Sequence, residues 1–403
     1  MALLMLLLLA AGSREFTASA IDVVVAPYKY SVLGWELGHL PEKWLRKWEG
    51  LLSDRSQVSR EDEIAHAQEF FQLGLELGQL ERDLQFSEIA APGRALSTEQ
   101  ARTLQDRINA INVHRRNLEA DAEDTIESEV AIVLAREGLG SRLGIFPPVD
   151  VVFSNSPHAL TVSPRDHIAR REDVLLKPGM SNPEKDQIEE RIFREQNLSA
   201  YVEETGGVAV YPSIVTDNAG LRQAVVITTH EWLHQWLFFR PLGRAFWNNA
   251  QMTTLNETVA TIAGEELGDK VFISLIGEGV DRTPPATPTT RDPGAFDFSA
   301  EMHETRLRTD ELLAQGEIDE AEAYMEERRQ VFVANGYLLR KINQAYFAFH
   351  GTYATSAASV SPVGDQVREL RERSGSIAQF LNTVSQFSTY QEFLHYLGGL
   401  RAG

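Results

Sequence analysis

His230 and His234 stand four residues apart with Glu231 beside the first, in the run Thr228-Thr229-His230-Glu231-Trp232-Leu233-His234-Gln235-Trp236. One turn of α-helix advances about 5.4 Å, so residues four apart lie nearly above one another and can offer two imidazole nitrogens to one ion. Glu231 falls off that line. It is placed to reach a water held by the metal, which is what a general base requires. Val225, Val226, Ile227, Trp232, Leu233, Trp236, Leu237 and Phe238 surround the pair with apolar bulk. Inside so apolar a helix, two histidines and a carboxylate are costly unless they are paired or bind metal.

A site of this kind needs a third protein ligand and keeps a fourth position open for water. The chain has no cysteine, so the ligands must be His, Asp or Glu, and disulfides and thiol catalysis are excluded. A further helix is expected from about Met252 to Leu267, in which Glu257 shares a face with Ala260, Thr261 and Gly264. Small neighbours let two helices approach closely, which would bring the Glu257 carboxylate to His230 and His234. Glu265 and Glu266 compete for the role, but near the helix end a carboxylate is more easily solvated, so they rank as surface or supporting groups. One Zn2+ ion is therefore expected on His230, His234 and Glu257. The remaining histidines, His39, His66, His114, His158, His167, His303 and His395, have no paired ligand spacing.

The metal helix is expected from about Ala219 to Phe239, capped by Asp217 or Asn218 and ended before Pro241. Ahead of it, Val149–Phe153, Ala159–Val162 and Asp173–Leu176 read as short strands. Gly206-Gly207 opens a fourth run, Val208–Val215, where Pro212 removes a ladder donor and so places the strand at a sheet edge. Such an edge beside the metal helix is a possible rail for an extended peptide, or a plain edge blunted by proline. Long amphipathic helices are expected over Arg60–Phe86 and Thr98–Arg136, the second capped by Ser97 with Gln100 three residues on. The segment from Gly277 to Phe298 is rich in Pro, Gly and Thr and reads as a long loop or lid. Helix follows from Ala300 to about Phe349, then two short helices.

Lys+Arg number 38 and Asp+Glu 58, and the resulting net charge of −20 argues against nucleic acid as a partner. The apolar run Ala2–Ala11 is too short to span a bilayer but about the length of a signal-peptide core. Ala18-Ser19-Ala20 offers a processing site, whereas Arg14 and Glu15 and the absence of an early Lys or Arg speak against cleavage. The apolar patch Ala20–Tyr28, with Trp35, Trp44 and Trp48 nearby, suits an anchor or interfacial helix as well as a buried one. The chain then divides into a signal peptide or membrane anchor at 1–20, a helical region at 21–145 and a catalytic region at 146–403, on the extracytoplasmic side.

HExxH followed by Asn256-Glu257 on a second helix resembles the gluzincin class of zinc metallopeptidases. That resemblance implies a mainly helical α+β fold, with a small mixed sheet whose edge strand lies next to the HExxH helix and with long flanking helices. By it, His230, His234 and Glu257 are the ligands and Glu231 the base. It also implies an oxyanion donor from the later helical part, for which Tyr353 is the candidate, with Tyr346 and His350 behind it. The chain is similar, more narrowly, to bacterial membrane-associated proteins classed as predicted aminopeptidases. The shared features are the hydrophobic N-terminus, Asn256-Glu257-Thr258-Val259-Ala260 with Gly264, and Ile342-Asn343-Gln344-Ala345 leading to Gly351-Thr352-Tyr353. What this implies is zinc-dependent hydrolysis of peptide or protein substrates, as an aminopeptidase. The alternatives are an endopeptidase of the same class and a non-catalytic, zinc-stabilised binding protein of the cell envelope. Oligomeric state is not readable from the sequence.

Overall fold

Two helices that nearly touch, Leu221–Phe238 and Ala250–Ile276, form the centre of the structure, a computed structural model that describes residues 19–38, 59–89, 97–142, 144–277, 296–337 and 339–402. The helices in chain order are α1 (Ala20–Val25), α2 (Arg60–Ile89), α3 (Thr98–Arg136), α4 (Asn182–Gln196), α5 (Leu221–Phe238), α6 (Pro241–Arg244) and α7 (Ala250–Ile276). After them come α8 (Phe298–Ala314), α9 (Ile318–Ala334), α10 (Gln344–His350), α11 (Val363–Glu372), α12 (Ile377–Val384) and α13 (Tyr390–Ala402). The strands are β1 (Val151–Ser154), β2 (His158–Ser163), β3 (Glu172–Leu176), β4 (Ser199–Glu204), β5 (Gly207–Val208) and β6 (Ser213–Thr216). The protein is thus mainly helical α+β, as expected.

The strands form two three-stranded sheets. One has the order β1-β6-β5, with β1 and β6 parallel and β5 and β6 antiparallel. The other, β3-β2-β4, is antiparallel throughout. Helix carboxylates close two of the outer edges. Glu127 and Glu123 of α3 accept from the Val151 and Phe153 amides of β1 at 2.9 and 3.2 Å. Glu189 of α4 accepts from the Val202 amide of β4 at 2.8 Å and is paired with Arg340 and Lys341. A buried carboxylate is tolerated when hydrogen bonds and cations satisfy it, and here it also blocks edge pairing.

The run Val208–Val215 is not a single edge strand. Pro212, with no N–H for a ladder, lies in the connection between β5 and β6, and β6 pairs on both sides at the sheet centre. The edge is the short β5. The strand β4 was not expected, because burial on both faces leaves it no alternation and its ends, Ser199 and Glu203-Glu204, are polar. The helical stretch expected from Ala300 to about Phe349 is made of three helices, separated after α8 and α9 at Gly316 and Gly336, whose φ angles of 79° and 89° favour glycine. The last fifty residues carry three helices rather than two. Neither Asp217 nor Asn218 caps α5; Gly220 is its N-cap and makes no side-chain hydrogen bond. The capping box at Ser97 and Gln100 is present as expected.

Ile21, Val24 and Val25 of α1 are buried against β2, β4 and α4, so this apolar patch packs into protein. No described helix is long and apolar enough to cross a membrane. The run 2–11 and the processing site's first residue, Trp44, Trp48 and most of the 277–298 segment lie outside the described residues.

The largest core joins α2 and α3 to α5, α7 and the C-terminal helices, so both sides of the boundary at 145/146 contribute to it. At the α5–α7 crossing the spacers are glycines. A Cβ on Gly264 would lie 3.1 Å from His230 Cα, and one on Gly268 would lie 2.6 Å from Val226 Cα. The Thr229 hydroxyl adds a contact of 2.8 Å to the Gly264 carbonyl. Gly268→Ala is expected to force the helices apart at a cost of about 1–3 kcal/mol, seen as a lower urea midpoint with weaker metal binding. An unchanged midpoint would show that the crossing is not tight.

Candidate metal centre

The α5 and α7 helices bring three ligand atoms to one point. His230 Nε2 and His234 Nε2 are 3.0 Å apart, and Glu257 Oε2 lies 3.5 Å from the first and 3.3 Å from the second. Tetrahedral coordination with bonds of about 2.0–2.1 Å requires ligand atoms about 3.3 Å apart, and the three observed separations bracket that value. Glu257 Oε2 is buried and has no hydrogen bond of proper geometry. An orphaned carboxylate oxygen facing two imidazole nitrogens is the expected state of a metal ligand set. His230, His234 and Glu257 could therefore hold a metal ion, and they are the group of this kind among the described residues.

His234 is held from behind. Asn256 Oδ1 lies 2.9 Å from His234 Nδ1 and accepts a hydrogen bond from its N–H, which leaves Nε2 free to coordinate. The Asn256 amide in turn donates to the Leu242 carbonyl at 3.4 Å. Sequence reasoning weighed Asn256 only as the neighbour of Glu257, since nothing in its position announces a histidine on another helix. Glu265 is exposed, and Glu266 pairs with Arg371 at 2.7 Å, so neither joins the cluster.

Burial works to lower the His234 pKa, but the charge of Glu257, with Glu231 and Asn256 in support, outweighs it and lifts the value to about 9. Burial likewise works to raise Glu257, yet the two imidazoles hold it well below the usual carboxylate range. Glu231 is pushed up by burial and by Glu257, against the pull of both histidines. It sits under Gly207 of β5, where a Cβ would come 2.7 Å from Glu231 Oε1. A side chain there would have to displace Glu231 and Ile227.

A cavity of about 960 Å³ opens on the three ligands and Glu231. Thr205, Gly207, Val208, Ala209 and Val210 line one side, from β5 and its flanks. Tyr353 lines it as well, whereas Tyr346 and His350 do not; their rings pack together with a centroid separation of 4.4 Å, beside Tyr201. Tyr353 is fixed on both sides along the chain. Thr352 Oγ1 accepts from Arg170 at 3.1 Å, and the Ala354 amide donates to Thr258, next to Glu257, at 3.3 Å. The negative charge of Glu257, then burial and Glu231, raise the Tyr353 phenol, so it stays protonated. Arg170, held by Asp173 at 3.0 Å, also lines the cavity and carries no local sequence signal. Trp247, 76% exposed, stands at the rim, packed edge-to-face against Phe246, which in turn packs against the His234 ring.

Comparison with protein families, with characterised proteins and with solved structures finds no match for this chain.

Because the His234 value of about 9 lies above the ordinary 6.5, its pairing with Glu257 stabilises the metal-free fold fully below pH 6.5 and is lost as pH rises through 9. Metal must displace that proton. Apparent zinc affinity, measured by chelator competition, is expected to rise about tenfold per pH unit between pH 7 and pH 9 and then level off. A flat profile would contradict a protonated His234 in the metal-free protein.

Proposed function

We propose that this protein is a zinc-dependent peptidase that removes N-terminal residues, with Glu231 as general base. The observation that carries the reading is the convergence of two imidazoles and one carboxylate at 3.0–3.5 Å with a further buried carboxylate, Glu231, in the same cavity. A closed structural zinc site has no need of that extra carboxylate. The donor set of two nitrogens and one oxygen suits zinc, which when bound would acidify a coordinated water and polarise a carbonyl.

Glu231 takes a proton from the attacking water at its carboxylate and later passes it to the leaving amine nitrogen. Its upward-shifted pKa favours holding that proton between the two steps. Tyr353 keeps its phenolic proton and can donate it as a hydrogen bond to the oxygen on which negative charge develops. Asn256 keeps the His234 ring in the tautomer with a free Nε2. The outer edge of β5 is suited to an extended substrate, since Gly207 and Val208 line the cavity with Glu231. Similarity to the membrane-associated predicted aminopeptidases, through Asn256–Ala260 and Gly351-Thr352-Tyr353, supports N-terminal removal and an extracytoplasmic site of action.

Three variants test these roles on a peptide library. Glu231→Gln is expected to retain one zinc per chain and to lose kcat by about a thousandfold or more; wild-type turnover would refute the assigned base. Tyr353→Phe is expected to lower kcat by about a hundredfold with little change in KM, and Tyr346→Phe to leave both near wild type. A Tyr346→Phe loss equal to that of Tyr353→Phe would reverse the assignment.

A further inference from the structure

One carboxylate in the cavity is not used by the hydrolytic chemistry. Glu36, in the helical segment over residues 32–38, is 6% exposed and lines the cavity that holds the metal ligands. Its single hydrogen bond among the described residues comes from the Tyr211 amide, at 3.5 Å. No described cation pairs with it. Of the other acids of the cavity, Glu257 faces two imidazoles, Asp173 holds Arg170 and the Thr161 hydroxyl, and Glu231, against Gly207, is the base of the proposed reaction. Burial pushes the Glu36 carboxyl pKa up, as an uncompensated acid requires.

The position of Glu36 relative to the metal helix follows from one peptide group. The Val210 carbonyl accepts from the side chain of Gln235, the residue after His234, and the N–H of that same peptide group, on Tyr211, points to Glu36. Gln235 also donates to Ser213 Oγ at 2.8 Å, which fixes the segment. Glu36 is therefore one peptide group away from α5, across a wall that includes Leu33, Val210, Phe238 and Phe239. A buried acid that no described cation pairs, beside apolar side chains, is stabilised when a ligand supplies the positive charge.

We propose that Glu36 binds the ammonium group of the substrate residue whose carbonyl is cleaved, while the apolar wall takes the rest of that residue. The proposal rests on the peptidase reading of the metal centre. Two chemical sources would supply the ammonium, the free N-terminus or a lysine side chain.

Binding and turnover on the full-length, zinc-loaded chain separate the possibilities. By calorimetry, isoamylamine is expected to bind at least about tenfold tighter than the uncharged isoamyl alcohol. Glu36→Gln, equal in size, is expected to remove that preference without changing zinc content. Equal binding of amine and alcohol by the wild type, or an amine preference that survives in Glu36→Gln, would overturn the proposal. This readout needs no peptide cleavage, so a protein that hydrolyses nothing but loses amine preference refutes the peptidase reading and leaves the Glu36 site standing. With peptides, Glu36→Gln is expected to lower kcat/KM about tenfold or more for a substrate with a free N-terminal leucine, and not for its N-acetylated form. A loss confined to an N-acetylated peptide with lysine at the cleaved position supports the site and assigns it to the side chain. Equal losses on all three peptides would contradict ammonium recognition.

Discussion

Side chains from two helices can meet within 3.5 Å of one another at a point only if the backbones behind them approach closely, and at the α5–α7 crossing that approach is made by residues with no side chain. Gly264 lies against the His230 backbone and Gly268 against Val226. Larger residues at these positions would lift Glu257 away from the imidazoles, and the three ligand atoms would no longer share a point. The remaining architecture supports this crossing: α2 and α3 pack on one side, the C-terminal helices on another, and Trp232 of α5 is tied to the Pro147 carbonyl at 2.8 Å.

The electrostatics of the centre follow from the same closeness. Two imidazoles, Glu257 and Glu231 are buried together, and none of these charges is tolerable alone. Glu257 and His234 stabilise one another's charged forms, while Glu231 is pushed toward its neutral form. Acids in one cavity are thus driven apart in proton affinity by their surroundings, which is how a fold separates a ligand from a base. Arg170 and Asp173 neutralise each other nearby, and among the described residues no cation pairs with Glu36.

Much of this was legible in the residues. The four-residue spacing of His230 and His234, and the small neighbours of Glu257, already implied two close helices, because periodicity and residue size act locally. The capping box at Ser97 and the full extent of α3 were equally readable. What escaped was set by long-range packing. The hairpin at Pro212 came out as one strand because a proline inside a β-rich run does not say on which side the chain turns. Asn256, Arg170, Gln235 and Glu36 have no local signature; their roles arise only once α5, β5 and the segment over 32–38 share a wall. Among the three aromatic candidates, sequence spacing could not choose, and it is the tether of Ala354 to Thr258 that brings Tyr353 rather than Tyr346 or His350 to the cavity.

The central claim is that one ion is held by a carboxylate of α7 and two imidazoles of α5. Zinc titration of the purified protein with Glu257→Gln beside Glu266→Gln tests it most directly. The account predicts one zinc per chain in the wild type, affinity lowered more than about a hundredfold in Glu257→Gln, and wild-type affinity in Glu266→Gln. Undiminished zinc binding by Glu257→Gln would contradict it.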